Sequence, residues 1–233
     1  SHAGTFAQTA AQATPDIHYF QQSFNALVEN IAIAVAGKTT PIKQCVTALL
    51  AGGHVLLEDN PGTGKTQLAR ALANSIDASF KRIQFTPDLL PSDVVGVTFY
   101  DQEHHEFEFR KGPIFASLVL ADEINRASPK TQSALLEVME EQQVTVDGTT
   151  YNVPQPFIVI ATQNPVDQLG TYKLPEAQMD RFLIRTSIGY PSQQVSIDIL
   201  KQIDILDRAQ TVSPVLTSHD VLQLRLKIGR AHV

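Results

Sequence analysis

An α/β fold, with a parallel sheet covered by helices on both faces, is predicted by three observations on this 233-residue chain. Short, largely apolar runs recur: "HVLL" at 54–57, "LVLA" at 118–121 and "FIVIA" at 157–161. Stretches with apolar residues at helical spacing separate them. The first run leads straight into a glycine-rich loop carrying a lysine, and a helix follows. Apolar runs without polar alternates suit strands buried on both sides, as in parallel sheets whose crossovers are helices.

The elements follow in order. The opening "SHAGTFAQTAAQATPD" is small, polar and alanine-rich, and residues 1–15 are expected to form a loose tail with a cloning remnant in front. Apolar spacing over 17–36 predicts a helix, and "KTTPIKQCVTALLAGG" a second that stops at Gly52 and Gly53. "HVLLE" is a buried strand. "KTQLARALANSI" sets Leu68, Leu72 and Ile76 on one helical face, and "SFKRIQF" reads as the next strand. Residues 86–113 look less regular, although "FEFRKG" alternates like a strand entering a turn. "SLVLADE" is a strand ending in two carboxylates. Ser128 and Pro129 then supply an N-cap and a first helical residue for "SPKTQSALLEVMEEQQ". "VTVDGTTYNV" is a hairpin candidate with an Asp-Gly turn. "FIVIATQNP" and "RFLIRTSI" are further strands, and from Pro191 the pattern turns helical.

Composition narrows the function. A formal net charge of −6 disfavours broad nucleic-acid binding, which needs a basic face. The single cysteine, Cys45, fits a reducing compartment and reads as a small buried residue. No run approaches the ~20 apolar residues of a membrane helix, and no basic-then-apolar leader opens the chain. A cytoplasmic location is expected.

Four motifs carry chemistry. "EDNPGTGKTQ" at 58–67 has the spacing of a phosphate loop, which needs open backbone N–H groups, a helix N-terminus and a lysine. Gly62 and Gly64 supply the open backbone, Lys65 the cation and Thr66 a hydroxyl for Mg²⁺. Asp59 stands at the loop's mouth, where the generic pattern has glycine. The acidic pair follows a strand: Asp122 suits a Mg²⁺ ligand and Glu123 a general base for water. In "VIATQNP", Asn164 could orient that water or sense the terminal phosphate, with Thr162 the weaker candidate. In "PEAQMDRFLIR", Arg181 or Arg185 could neutralise charge on the terminal phosphate of a neighbouring subunit.

Together these blocks resemble the MoxR family of AAA+ ATPases over most of the chain. The resemblance rests on "ALLAGGHVLLEDNPGTGKT", "GPIFASLVLADEINRASPKTQSALLEVMEEQQVTVDG" and "IATQNPVDQLGTYKLPEAQMDRFLIR". In that family the loop commonly opens "LLED", so Asp59 matches it. The resemblance implies a P-loop NTPase core with a five-stranded parallel sheet over 16–190, then a truncated helical lid over 191–233. It implies that ATP is cradled by Asn60, Pro61, Gly62, Thr63, Gly64, Lys65, Thr66 and Gln67, with Mg²⁺ held by Thr66 and Asp122. Glu123 would activate water, Asn164 act as sensor and Arg181 as the finger into the next subunit of a hexameric ring. Arg126 would also face the interface, and Val35 to Gly37 lie near the adenine. Residues 86–113 resemble the clade's insertion and 144–153 its hairpin, both facing the pore or the partner. A second sensor arginine is not assigned. The closing "IGRAHV" reads like a translated sequencing adapter, so 228–233 are expected to be foreign. The implied activity is ATP-driven remodelling of a protein client, alongside a von Willebrand factor A-domain partner. The alternatives are a magnesium-chelatase-like ATPase subunit, a DNA-directed motor, or a nucleotide-gated module that no longer hydrolyses.

Overall fold

The computed structural model describes residues 3–58, 64–163, 171–174, 176–187 and 212–231; at 3–16, 176, 185–187 and 228–231 it describes the backbone alone. Five parallel strands form the central sheet: β1 (His54–Glu58), β2 (Phe80–Gln84), β5 (Leu118–Asp122), β8 (Ile158–Gln163) and β9 (Phe182–Ser187). Their spatial order is β2-β5-β8-β1-β9. The apolar runs therefore become its interior strands β5, β8 and β1, as burial on both faces requires.

Period-two alternation divides the interior into two cores. Val55, Leu57, Leu118, Leu120, Ile158 and Ile160 point to one face. There they meet helices α1 (Ala3–Ala34), α2 (Thr39–Ala51), α3 (Lys65–Ser75) and α7 (Ser218–Ala231). Leu56, Val119, Ala121, Val159 and Ala161 point to the other. That face is covered by α4 (Pro91–Val95) and α5 (Pro129–Glu141), with Val144 of the hairpin strand β6 (Gln143–Val146) at its margin. A single helical turn, α6 (Glu176–Met179), precedes β9.

Local signals act where the chain places them. Gly52 takes the left-handed conformation that ends α2. Ser128 caps α5 through its Oγ, which accepts from the Thr131 N–H. Asp147 and Gly148, both at positive φ, join β6 to β7 (Thr149–Asn152).

Three expectations need adjustment. The backbone is helical from Ala3, because "AGTFAQTAAQ" is rich in good helix formers and the helix propagates from its anchored half, Leu27 and Ile31. The helix ends at Ala34, two residues early. Residues 86–113 are more regular than their sequence suggests: α4 is followed by an antiparallel hairpin of β3 (Gly96–Asp101) and β4 (Glu106–Lys111). The expected boundary at 190 and the lid residues 191–211 lie outside the described residues.

Candidate active site

Parallel strands all end on one edge, so the groups that follow β1, β5 and β8 are gathered there without any further device. Asp122 is the last residue of β5 and continues the face of Leu118 and Leu120, over which α3 packs. Gly64, at φ 79°, turns the chain into α3, and Lys65 is the first residue of that helix. The Lys65 Nζ lies 2.8 Å from Asp122 Oδ1.

Two neighbouring strands grip the same carboxylate. Ala121 pairs with Ala161, which sets Thr162 of β8 beside Asp122 on the same face. The fully buried Thr162 hydroxyl donates to Asp122 Oδ1 at 2.7 Å and accepts from the Glu123 N–H at 2.8 Å. On the other side Gln84 pairs with Asp122, so Arg82 stands one pleat back on the same face. Its Nη2 donates to Asp122 Oδ2 at 2.6 Å and to Gln84 Oε1 at 2.8 Å. Asp122 is only 2% exposed. Burial alone would raise its pKa, but the Lys65 ammonium, the Thr162 hydroxyl and the Arg82 guanidinium outweigh that and hold the carboxyl below its usual range. It is an anion held ready.

Glu123 breaks the strand. Its φ of 56° and ψ of 54° place a non-glycine residue in the left-handed region, at a cost of about 1–2 kcal/mol. The bond from its N–H to Thr162 helps hold that conformation. The kink opens the single 3-10 turn Ile124–Arg126, whose Arg126 Nη1 sits 3.4 Å from Glu123 Oε2. Glu123 thus diverges from Asp122, leaving one carboxylate buried and paired and the other partly exposed.

The structure brings Lys65, Asp122 and Glu123 together, with Thr66 and Gln67 half-buried in the first turn of α3. Asp59, Asn60, Pro61, Gly62, Thr63 and Asn164 lie outside the described residues, as does the side chain of Arg185. Arg181, just before β9, meets Glu140 of α5 at 2.8 Å. Arg126 turns towards its own chain's Glu123. Val35 to Gly37 form the turn between α1 and α2, and the Val35 side chain is in the core. Sequence reasoning ranked Thr162 low and missed Arg82. Alternation in "FKRIQ" puts residue 82 on the α3 face, but its pairing with β5 is a matter of register that the run itself does not encode.

The donor set suits Mg²⁺ with a nucleotide. A buried anionic oxygen donor stands beside a lysine at a helix N-terminus, where dipole and N–H groups favour phosphate. The Thr66 hydroxyl follows on the same turn.

Comparison with known proteins agrees with this fold. The family model described as "ATPase family associated with various cellular activities (AAA)" matches residues 54–184. The uncharacterized protein YeaC of Bacillus subtilis is 56% identical over 201 residues, 86% of this chain and 63% of that protein. Chaperone MoxR1 of Mycobacterium tuberculosis is 44% identical over 191 residues, 82% of this chain and 50% of its own length. The crystal structure of a candidate ATPase from Cytophaga hutchinsonii superposes with a TM-score of 0.82 at 40% identity, covering 94% of this chain and 67% of that one. The chain thus spans between half and two thirds of the length of these two curated relatives.

Proposed function

The chain belongs to the AAA ATPases, within their MoxR branch, and from that premise we propose that it binds ATP with Mg²⁺ and hydrolyses the terminal phosphate anhydride to remodel or activate a protein client. One observation carries the reading. Lys65, Asp122, Thr162 and Glu123 converge at one edge of the sheet through contacts of 2.7 to 2.8 Å. A cation for phosphate and an anion for a metal thereby share one small volume, and the residue that would activate water is joined to them through its backbone N–H.

The residues divide the work. Thr66 and Asp122 would hold Mg²⁺, which supplies charge neutralisation on the phosphates when bound. Lys65 exchanges its Asp122 partner for the terminal phosphates. Glu123 takes the proton of the attacking water, and Asn164 orients that water. Arg181 serves the neighbouring subunit: an arginine donated in trans is free to rest against Glu140 in its own chain. A hexameric ring, a von Willebrand factor A-domain partner and a cytoplasmic setting complete the reading. No described helix is long and apolar enough to cross a membrane.

The test is Glu123→Gln. It should keep ATP affinity within about twofold while turnover falls by roughly 100-fold or more, the usual contribution of a general base. Undiminished hydrolysis in that variant would refute the role given to Glu123.

A further inference from the structure

Asp122 is nearly inaccessible and holds two cations at once, Lys65 on Oδ1 and Arg82 on Oδ2. Resting on the ATPase reading above, we infer that Arg82 is a positioning residue for the metal ligand. It fixes Asp122 by Oδ2, so that Oδ1 stays turned to Mg²⁺ once Lys65 has left for phosphate.

The need for such a residue follows from the pairing. A buried carboxylate stripped of its partner is strongly disfavoured, and the reading above draws Lys65 from Asp122 towards the terminal phosphates. Without Arg82, the Thr162 hydroxyl would remain as the polar anchor described for the carboxylate oxygens, on Oδ1 alone. Torsion about the last bond of aspartate is soft, so one anchor would leave the carboxylate plane free to rock. With Arg82 the two oxygens are held from opposite sides, by β8 and by the edge strand β2.

Arg82 is itself oriented. The same Nη2 donates to Gln84 Oε1 at 2.8 Å, and the Gln84 amide donates to the Phe85 carbonyl at 3.2 Å. The chain Gln84–Arg82–Asp122 therefore runs along the α3 face of the sheet. It approaches from the side of β5 opposite the strand that carries Thr162. The Arg82 side chain is 43% exposed and that of Asp122 2%. Arg82 can thus adjust as Lys65 departs, while Asp122 cannot move far.

The experiment titrates a fluorescent ATP analogue against this chain with EDTA and across Mg²⁺ concentrations, for the unsubstituted protein, Arg82→Ala and Arg82→Lys. In EDTA all three should bind alike within about twofold. With Mg²⁺, Arg82→Ala should need about 10-fold more metal for half-maximal tightening, the usual loss when a ligand's supporting partner is removed, and Arg82→Lys should recover part of it. Thermal melting separates this from general damage, because a merely structural arginine would lower the melting point without moving the Mg²⁺ midpoint. An unchanged or lowered midpoint in Arg82→Ala overturns the inference. Should that variant not fold, Arg82→Lys decides, a midpoint raised above that of the unsubstituted protein supporting the role and an unchanged one refuting it. Absence of any nucleotide binding by the unsubstituted protein would instead remove the ATPase reading on which this rests.

Discussion

Thr162 shows how much one hydroxyl can organise. It donates to the Asp122 carboxylate and accepts from the Glu123 amide, so it sets the relation between the two acidic residues. Thr162→Val keeps the shape and removes both bonds, leaving a buried N–H and a carboxylate oxygen each one partner short. The expected loss is about 1–3 kcal/mol of unfolding free energy, measured by chemical denaturation, with Thr162→Ser retaining most of it. A valine variant as stable as the parent would show that the hydroxyl organises nothing. The sequence made Thr162 visible as a polar residue at a strand tip. It did not show which way the hydroxyl points, since that depends on β8 lying next to β5.

At the scale of elements, the hairpin of β3 and β4 is the part least legible beforehand. Only the alternation of "FEFRKG" signalled it. The turn at 102–105 that leads back to its partner "GVTFYD" has no glycine, with His105 taking the positive φ instead. The hairpin joins α4 through Gly96, at φ 118°, where a Cβ would run into the Arg110 carbonyl and the Gly112 N–H. Gly96→Ala therefore combines an unfavourable backbone conformation with a clash against main chain that cannot rotate away. We expect a loss of about 2 kcal/mol or more, concentrated in the hairpin. Amide exchange should accelerate across Val97–Arg110 while β5 and β8 stay protected. Uniform exchange across both regions would mean that the hairpin is not a separable unit. By contrast, the β6–β7 hairpin was legible because Asp-Gly encodes its own turn.

The whole molecule adds a pH dependence that resides in no active-site group. His54 opens β1 and is buried between the sheet and α5. Its Nδ1 accepts from the Val159 N–H at 2.9 Å, so Nε2 carries the proton and donates to the Met139 carbonyl at 3.2 Å. Burial, with Arg225 adding to it and the Met139 carbonyl opposing, lowers its pKa from 6.5 to about 4. The unfolded chain therefore takes up a proton that the folded chain refuses between those values. Stability is complete above pH 6.5 and declines as pH falls towards 4, by roughly 3 kcal/mol in all. Asp122, its carboxyl held low, acts in the same direction but below its ordinary 3.8, so the two windows are distinct. Denaturant unfolding at intervals from pH 7 to 4 should show this slope, and His54→Gln should flatten it. An equal slope in that variant would place the dependence elsewhere. Arg225, which donates twice to the Leu49 carbonyl, ties α7 to α2 on the opposite face of the sheet.

By itself the sequence determined the alternation of the core strands and helices, the Ser128 cap and the Asp-Gly turn, and the placing of a lysine behind the glycine-rich loop and of an acidic pair at a strand end. Each of these is written in residues close together, through periodicity or local backbone preference. Only the tertiary structure decided the strand order that sets Thr162 and Arg82 on either side of Asp122, and the meeting of Arg181 with Glu140. Those relations depend on which strands are neighbours and in what register. That choice is made by the packing of two opposed cores, and a run of five apolar residues is compatible with several such arrangements.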